Sequence, residues 1–401
     1  MINFVAVTSE FSVAAHWPGD FDETGLQKWA ADLRAQLSGP QVSLGLVFMS
    51  PRFFPNAKQV LEILRVHAKI PLLVGCSSQS LIANGEELEE NPGLTLGLYA
   101  LPGAELKAFY FAQGQVEEAN GPGYWRLETG IEPEQTNGWL AFIDPFHLDS
   151  EAWLNTWNEA YAPLPVMGGL ASGDFTEQRT QVYLNGDVYE EGGVAISVGG
   201  EVKLASVISQ GCTPIGETWT LTRVEDNIIH EIGNRPAYKV LEETFNRLTP
   251  AEQKIARNNL FVGLVVNEYL EDFHRGDFLI RNLLVVDPRS GSIAVGAFPR
   301  AGQTMQFQRR SAAAAMEDMD ELLGRAAKQL QGATVYGACL CSCNGRGLGL
   351  FGRPNHDAHC VQKQFGPIGL AGFFCNGEIG PIGEKNFLHG FTASLALFVK
   401  K

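Results

Sequence analysis

Apolar runs of strand length alternate with helix-period segments along the first half of the chain. Residues 23–38 (ETGLQKWAADLRAQLS) carry apolar side chains at helical spacing and stop at a Gly-Pro pair, which predicts a helix. The run at 42–50 (VSLGLVFMS) predicts a buried strand, residues 56–68 predict a second helix, and 70–78 (IPLLVGCSS) predict a strand that ends in a glycine turn. This β-α-β order is typical of an α/β fold.

The second half continues the alternation. It opens with a predicted helix at 235–248, whose Pro236 suits a first helical turn, and carries a longer one from about 311 to 331. The apolar runs that predict strands in this half are FVGLVV, FLIRNLLVVD, SIAVGAF, TVYGACLCSC and FTASLALFV. We therefore predict a mixed α/β (α+β) protein in which mixed β-sheets are flanked by helices.

An internal repeat relates residues 70–114 to residues 164–211. Each segment contains a proline-led strand, a turn with glycine followed by serine, an acidic connection, and then a hairpin that closes on Gln-Gly. This shared order predicts two pseudo-repeated lobes with their glycine-serine turns facing each other. The alternative is two unrelated strand–turn–hairpin runs.

Composition and charge narrow the class of protein. The 401 residues suggest two or three domains, and a composition of 45% hydrophobic and 19% charged residues is globular. A formal net charge of −15 argues against nucleic-acid partners and against docking on anionic membranes. Residues 1–12 lack the basic region of a signal peptide, and seven unevenly spaced cysteines do not suggest a disulfide framework. We predict a soluble, reduced, cytoplasmic protein.

The segment CLCSCNGRG raises the question of a metal site. Cys339, Cys341 and Cys343 alternate along a predicted strand, so they share one face at about 6.5–7 Å spacing. Further residues of metal-ligand type follow downstream: His356, His359, Cys360 and Cys375. Zinc sites favour paired cysteines on a tight turn, which this spacing does not provide, so packed thiols are the favoured interpretation. We predict no metal and no cofactor.

The Asn-Gly-Arg-Gly turn after that strand is the stronger candidate for recognition. Asn-Gly favours a tight turn, and Arg346 between glycines can bind a carboxylate or phosphate with both guanidinium nitrogens. Cys343 at the strand end lies where the arginine favours its thiolate form, although the sequence identifies no partner base.

Other turns carry polar residues of similar type. Ser77 and Ser78 in GCSS, and Ser172 in GGLAS, can present hydroxyl groups to an anion or simply cap their turns. Glu378 in CNGEIGP is placed to bind a ligand ammonium group, or to form a structural ion pair with Arg346.

These motifs together resemble the FIST family, named after F-box and intracellular signal transduction proteins. The similar stretches are VGCSSQSLIANGEELEENPGLTLGL, GGLAS, SQGCTPIG, CNGRGLGLFG, FGPIGLAGFFCNGEIGP and FLHGFTASLALF. They cover nearly the whole chain, which implies a FIST N-like lobe at 1–222 and a FIST C-like lobe at 223–401. Three residues depart from the usual motifs, Ser80, Cys212 and Thr213, which puts the usual ligand in question.

The resemblance implies a sensory module that binds a small ligand, for which amino acids or related molecules have been proposed. The residues it carries over are Cys76, Ser77, Ser78, Cys343, Arg346, Gly347, Gly377, Glu378 and Gly380. We expect Arg346 to bind a ligand carboxylate and Glu378 its ammonium group, with the serines of the two turns as polar contacts. Two alternatives stay open: a thiol-dependent hydrolase or transferase that uses Cys343, and an adaptor that binds a signalling protein.

Overall fold

The computed structural model describes residues 10–39, 41–89, 93–173, 176–257 and 259–401. Spatial contacts divide the chain into two compact units, one of residues 1–208 and 321–401 and the other of residues 209–320. The division into lobes at 1–222 and 223–401 concerns sequence segments and stays a prediction. The prediction that no signal peptide is present concerns residues 1–12, of which residues 1–9 lie outside the described residues.

Helices and strands alternate along the chain. The smaller unit is one continuous segment that lies, in sequence, between the two segments of the larger unit. The helices are α1 (Glu23–Gln36), α2 (Ala57–His67), α3 (Gln113–Glu118), α4 (Gly123–Thr129), α5 (Ser150–Tyr161), α6 (Ala237–Asn246), α7 (Pro250–Ala256), α8 (Ala312–Gln329), α9 (Gly347–Phe351) and α10 (His356–Phe365), with 3₁₀ turns at Pro51–Asn56 and Pro133–Gln135. The strands of the first half are β1 (Ser12–Trp17), β2 (Leu44–Met49), β3 (Leu73–Ser77), β4 (Leu81–Ala83), β5 (Glu86–Leu88), β6 (Leu94–Tyr99), β7 (Ala104–Phe111), β8 (Trp139–Ile143), β9 (Val166–Leu170), β10 (Val182–Leu184), β11 (Asp187–Tyr189), β12 (Gly193–Gly200) and β13 (Val202–Ser209). Those of the second half are β14 (Cys212–Glu225), β15 (Ile228–Ile232), β16 (Arg235–Pro236), β17 (Leu260–Val265), β18 (Phe278–Asp287), β19 (Ser292–Val295), β20 (Thr304–Arg310), β21 (Val335–Cys343), β22 (Leu370–Cys375), β23 (Glu378–Ile382), β24 (Lys385–His389) and β25 (Ala393–Lys400). The predicted mixed α/β class is confirmed.

Three six-stranded sheets of the larger unit share one arrangement. Each has a central parallel pair, β2–β3, β8–β9 or β21–β22. An antiparallel strand, β6, β12 or β25, lies beside the first member of each pair. A two-stranded hairpin lies beside the second member. The strand, the acidic connection and the following strands that the sequence repeats at 70–114 and 164–211 are present in this order. The predicted closing hairpins are wrong, because β6 and β7 belong to different sheets, as do β12 and β13. The order of strand, two-stranded hairpin and antiparallel strand occurs a third time at 370–400.

The hairpins are exchanged among the three sheets. The β4–β5 hairpin follows β3 in the chain but pairs with β22, and the β10–β11 hairpin follows β9 but pairs with β3. The β23–β24 hairpin follows β22 but pairs with β9, which completes the cycle. Each strand edge that one repeat leaves open is thus covered by another repeat, which leaves fewer exposed backbone groups.

A glycine on the second strand of each parallel pair permits the close approach of the strands. A Cβ atom at Gly75, Gly168 or Gly372 would lie 1.7, 1.9 or 2.1 Å from a backbone carbonyl oxygen of the neighbouring strand. These distances are far below any real contact, so glycine is required at all three positions.

Apolar side chains from the three sheets meet in one core. The rings of Phe48, Phe142 and Phe373, one from each sheet, contact one another with centroids 4.7–5.8 Å apart. The helices cover the outer faces: α1 and α2 pack on the first sheet, and the tryptophans of α5 pack on the second. The smaller unit has its own seven-stranded sheet, against which α6 packs with Val240 and Leu241.

Candidate functional site

Cys343 ends the first strand of the third parallel pair. Ser50 and Asp144 occupy the same place in the other two repeats, because each lies three residues beyond the residue whose carbonyl oxygen faces the glycine of its parallel pair. In all three repeats, the amide at this place donates to the carbonyl just before the antiparallel strand, over 2.8–2.9 Å. The residues at these strand ends are therefore directly comparable, and only the third repeat carries a thiol there.

Glu378 also distinguishes the third repeat. It starts β23 opposite Gly169, and the matching positions of the other hairpins are the buried residues Leu81 and Val182. A Cβ atom at Gly169 would lie 3.1 Å from the Sγ atom of Cys375, so the glycine makes room for the thiol beside the carboxyl group. One repeat therefore has a carboxyl group in a position where the other two bury aliphatic side chains.

The carboxyl group of Glu378 is fully buried and hydrogen-bonded. Its Oε1 atom accepts from Cys375 Sγ at 3.1 Å, and its Oε2 atom accepts from the Thr392 amide at 2.9 Å. Burial raises the pKa of Glu378 to about 8, an effect that these hydrogen bonds, the charge of Arg346 and a hydrogen bond with the Cys343 side chain only partly oppose. The group is therefore mostly protonated at neutral pH.

Cys343 lies half-buried above this carboxyl group. Its Sγ atom accepts hydrogen bonds from the amides of Phe391 at 3.2 Å and Gly345 at 3.4 Å. Next to it, the side-chain amide of Asn344 donates to Asn376 Oδ1 at 2.7 Å, which links the turns after β21 and β22. The two N–H donors hold the sulfur in a fixed position and stabilise its thiolate form.

Arg346 is buried and bound to Asp357. Its Nε and Nη2 atoms donate to the two carboxylate oxygens of Asp357 at 2.6 and 2.9 Å, and both side chains are at most 1% exposed. The guanidinium also lies 5.4 Å above the Phe351 ring, and His356 Nδ1 lies 3.0 Å from Asp357 Oδ1. Burial alone would raise the pKa of Asp357, but the charge and hydrogen bonds of Arg346 outweigh it and hold that pKa well below its usual range.

A second acidic group, Glu87, joins the cluster from the exchanged β4–β5 hairpin. Its Oε1 atom accepts from the amides of Asp357 and Ala358 at 2.8 and 3.0 Å, at the first turn of α10. Burial, together with the charge of Asp357, raises the pKa of Glu87 to about 7. Glu87 also lines a cavity of about 280 Å³, whose walls include Leu348 and Asn355.

Two predicted site glycines have structural reasons for their small size. Gly347 has φ +60°, and a Cβ atom there would lie 2.5 Å from the Oε1 atom of Glu89, which accepts from the Leu348 amide. A Cβ atom at Gly377 would lie 3.0 Å from the Cδ1 atom of Leu170, whose amide donates to the Gly377 carbonyl at 2.8 Å and so connects the start of β23 to the end of β9.

The predicted serines meet as expected, but they bind one another. The Oγ atoms of Ser78 and Ser172 lie 3.1 Å apart, and Ser77 Oγ donates to the Ser172 carbonyl at 3.0 Å. Ser172 also donates to the Phe374 carbonyl at 2.7 Å, and all three serines are fully buried. The facing of the glycine-serine turns is confirmed, and the network joins the ends of β3, β9 and β22. Cys76 lies in the central core, where burial raises the pKa of its thiol.

The sequence predicted that Cys343, Arg346 and Glu378 belong to one site, and the structure places all three in one cluster. The prediction missed Asp357, whose carboxylate binds the arginine, and Glu87, which accepts from the backbone amides of Asp357 and Ala358. The sequence segment NHDAHC contains Asp357, but its histidines and cysteine suggested a metal site, so the aspartate was not considered as a partner of Arg346. Within the described residues, no group of three or more histidine, cysteine, aspartate or glutamate side chains is arranged to hold a metal ion.

Comparison with known proteins identifies the family. A FIST N domain matches residues 43–235, and a FIST C domain matches residues 237–381. This chain belongs to the FIST family. FIST domains are sensory and signal-transduction domains.

Several proteins are similar to this chain. Uncharacterised proteins of Mycobacterium tuberculosis and Mycobacterium bovis are 37% identical over 372 residues, which cover 92% of this chain and 94% of theirs. An uncharacterised protein of Methanocaldococcus jannaschii is 20% identical over 266 residues, 63% of this chain and 49% of that one. A solved structure of cyanuric acid hydrolase aligns with a TM-score of 0.35 at 10% identity, over 98% of each chain.

The site combines both FIST domains. Cys343, Arg346, Asp357 and Glu378 belong to the FIST C match, whereas Glu87 reaches them from the FIST N match through the exchanged hairpin. In the part of the chain that the structure describes, no helix is long and apolar enough to cross a membrane.

Proposed function

We propose that this FIST protein is a sensor that binds a small molecule at the ends of β21 and β23, beside Cys343 and Glu378. The observation that carries the proposal is the carboxyl group of Glu378, which is buried in a position where the other two repeats have Leu81 and Val182. Burial of a carboxyl group lowers the stability of the folded protein, and carboxyl groups with strongly shifted pKa values are concentrated at functional sites. The half-buried Cys343 and the exposed Asn344 provide the adjoining surface.

The proposed ligand is an amino acid or a related carboxylate. Because Glu378 is mostly protonated at neutral pH, it does not repel an anion and can donate its O–H to a ligand carboxylate. Arg346 contributes positive charge nearby, but its paired hydrogen bonds to Asp357 support a positioning role more than direct contact. A sensor of this kind would pass its signal to a protein partner.

A thermal-shift screen of the reduced protein against amino acids and small organic acids tests the proposal. A ligand at about 100 times its Kd adds about 2.7 kcal/mol to the free energy of unfolding. We expect Glu378→Gln to weaken a hit at least tenfold, and we expect Glu384→Gln, an exposed change in the turn of the same hairpin, to leave it unchanged. A hit of equal affinity in both variants, or no hit at all, would contradict the proposed site.

The same contacts favour one second candidate, a thiol-dependent hydrolase or transferase. With a pKa of about 8, the carboxyl group of Glu378 matches an ordinary thiol and can exchange a proton with Cys343. In this reaction the ionised form of Glu378, a minor fraction at neutral pH, takes the thiol proton, the sulfur attacks an acyl carbon, and the leaving group departs with that proton. Water then cleaves the acyl-enzyme. A covalent adduct on Cys343 with an activated acyl ester, lost in Glu378→Gln, would support this candidate over a purely binding site.

A further inference from the structure

Cys343 has a second thiol as its direct neighbour. Cys343 and Cys375 are the last residues of β21 and β22 and are registered partners in this parallel pair. Neighbouring strands lie about 4.8 Å apart, which falls within the Cα separations of about 4.4–6.8 Å found in disulfides. The side chains of both cysteines also hydrogen-bond to the same carboxyl group, that of Glu378.

The two thiols differ in a way that suits two different roles. Cys343 is half-buried, so solvent reaches it, and its sulfur accepts two backbone N–H groups, which favour the nucleophilic thiolate form. Cys375 is fully buried and lies 3.1 Å from Glu378 Oε1 and 3.3 Å from the Ser342 carbonyl oxygen. A small oxidant therefore reaches Cys343 first, and Cys375 is placed to react with the product.

We propose that Cys343 and Cys375 form a peroxide-reactive dithiol, in which Cys343 is oxidised by a hydroperoxide and Cys375 resolves it to a disulfide. In the first step the Cys343 thiolate attacks the peroxide, an S–O bond forms and the O–O bond breaks. The sulfur loses two electrons to the peroxide, and the departing alkoxide or hydroxide takes the proton of Glu378. Cys343 is left as a sulfenic acid.

In the second step the ionised Glu378 accepts the proton of Cys375. The Cys375 thiolate then attacks the Cys343 sulfur, the S–S bond forms, and the S–O bond breaks. Hydroxide leaves with the proton from Glu378 as water, and the carboxylate recovers a proton from solvent. The sum is two thiols and one hydroperoxide converted to one disulfide, one alcohol or water, and one water.

The remaining cysteines are less suited to this chemistry. Cys339 and Cys341 lie further back on β21, and both are buried, as are Cys76 and Cys212. Cys360 on α10 is half-buried, like Cys343, but it lies outside the β21–β22 pair, and its sulfur lies 3.9 Å from His356 Nε2. Cys360 therefore provides an internal control of similar exposure.

The experiment uses the full chain, reduced and then freed of reductant, with one equivalent of hydrogen peroxide at pH 7. Thiols are then blocked with N-ethylmaleimide under denaturing conditions, and the modified peptides are mapped by mass spectrometry. We expect the wild type to lose two of its seven thiols and to yield a peptide pair joined through Cys343 and Cys375. We expect Cys375→Ser to stop at a sulfenic acid on Cys343, trapped by dimedone, and Cys360→Ser to behave as the wild type.

The proposal would be overturned by oxidation of Cys360 at the same rate as Cys343, by a disulfide between any other pair, or by a Cys343 sulfenic acid that persists in the wild type. Because the wild-type peptide map decides among these results, the outcome does not depend on the folding of any variant. The ligand screen is run with reductant present, so failure of the proposed sensor and failure of the dithiol are separate results.

Discussion

Replacement of Asp357 by asparagine tests the buried ion pair that organises the site. The change keeps the size of the side chain but removes the charge that the guanidinium of Arg346 faces through two hydrogen bonds. A buried charge that loses its partner costs about 3–5 kcal/mol of stability. Desolvation, rather than lost attraction, dominates this cost, because both side chains are almost fully buried.

The expected change in melting temperature follows from the size of the larger unit. It has about 290 residues, for which the unfolding entropy is about 0.6 kcal/mol/K, so the loss corresponds to about 5–8 °C. Differential scanning calorimetry at pH 7 measures this shift. The control is Asp20→Asn, which breaks the exposed 3.0 Å pair of Asp20 with Arg52 and should cost less than about 1 kcal/mol.

A double variant separates the charge effect from a general loss of packing. If an unpaired guanidinium is the cause, then Arg346→Met should recover part of the stability lost in Asp357→Asn, because no charge is left buried. Equal melting temperatures for Asp357→Asn and Asp20→Asn would refute the reasoning, as would a double variant that is destabilised by the full sum of both changes.

Three further predictions concern the same unit. Gly75→Ala should prevent folding or cost more than about 3 kcal/mol, because its Cβ atom would lie 1.7 Å from a carbonyl oxygen, whereas Gly349→Ala meets no atom within 4 Å and should leave the melting temperature almost unchanged. The carboxyl group of Glu378 ionises near 4.5 when unfolded and near 8 when folded, so its contribution to stability falls as the pH rises from about 4.5 to 8. Glu378→Gln should therefore melt higher than the wild type at pH 9 and gain less or nothing at pH 5; the same difference at both pH values would contradict the raised pKa. Iodoacetamide at pH 7 should label Cys343 at least tenfold faster than Cys360, as measured by peptide mapping, and comparable rates would argue against an activated thiol.

Local sequence determined most of the regular elements of this protein. Apolar periodicity located α1, α2 and α8 within about two residues of their ends, and it located β18 without error. The family motifs also pointed to Cys343, Arg346 and Glu378, which do lie together. These features depend on neighbouring residues in the chain, because helical and strand periods, turns and glycine-rich motifs are local patterns.

Only the tertiary structure decided how the repeats assemble. The acidic connections are the β4–β5 and β10–β11 hairpins, and each pairs with a strand edge in another repeat, which no local pattern specifies. For the same reason the sequence predicted only part of the cluster around Arg346, because Glu87 accepts from the amide of Asp357, which lies 270 residues away in the chain. The raised pKa of Glu378 is likewise a result of burial, which depends on all the elements packed around a side chain and cannot be read from its neighbours in sequence.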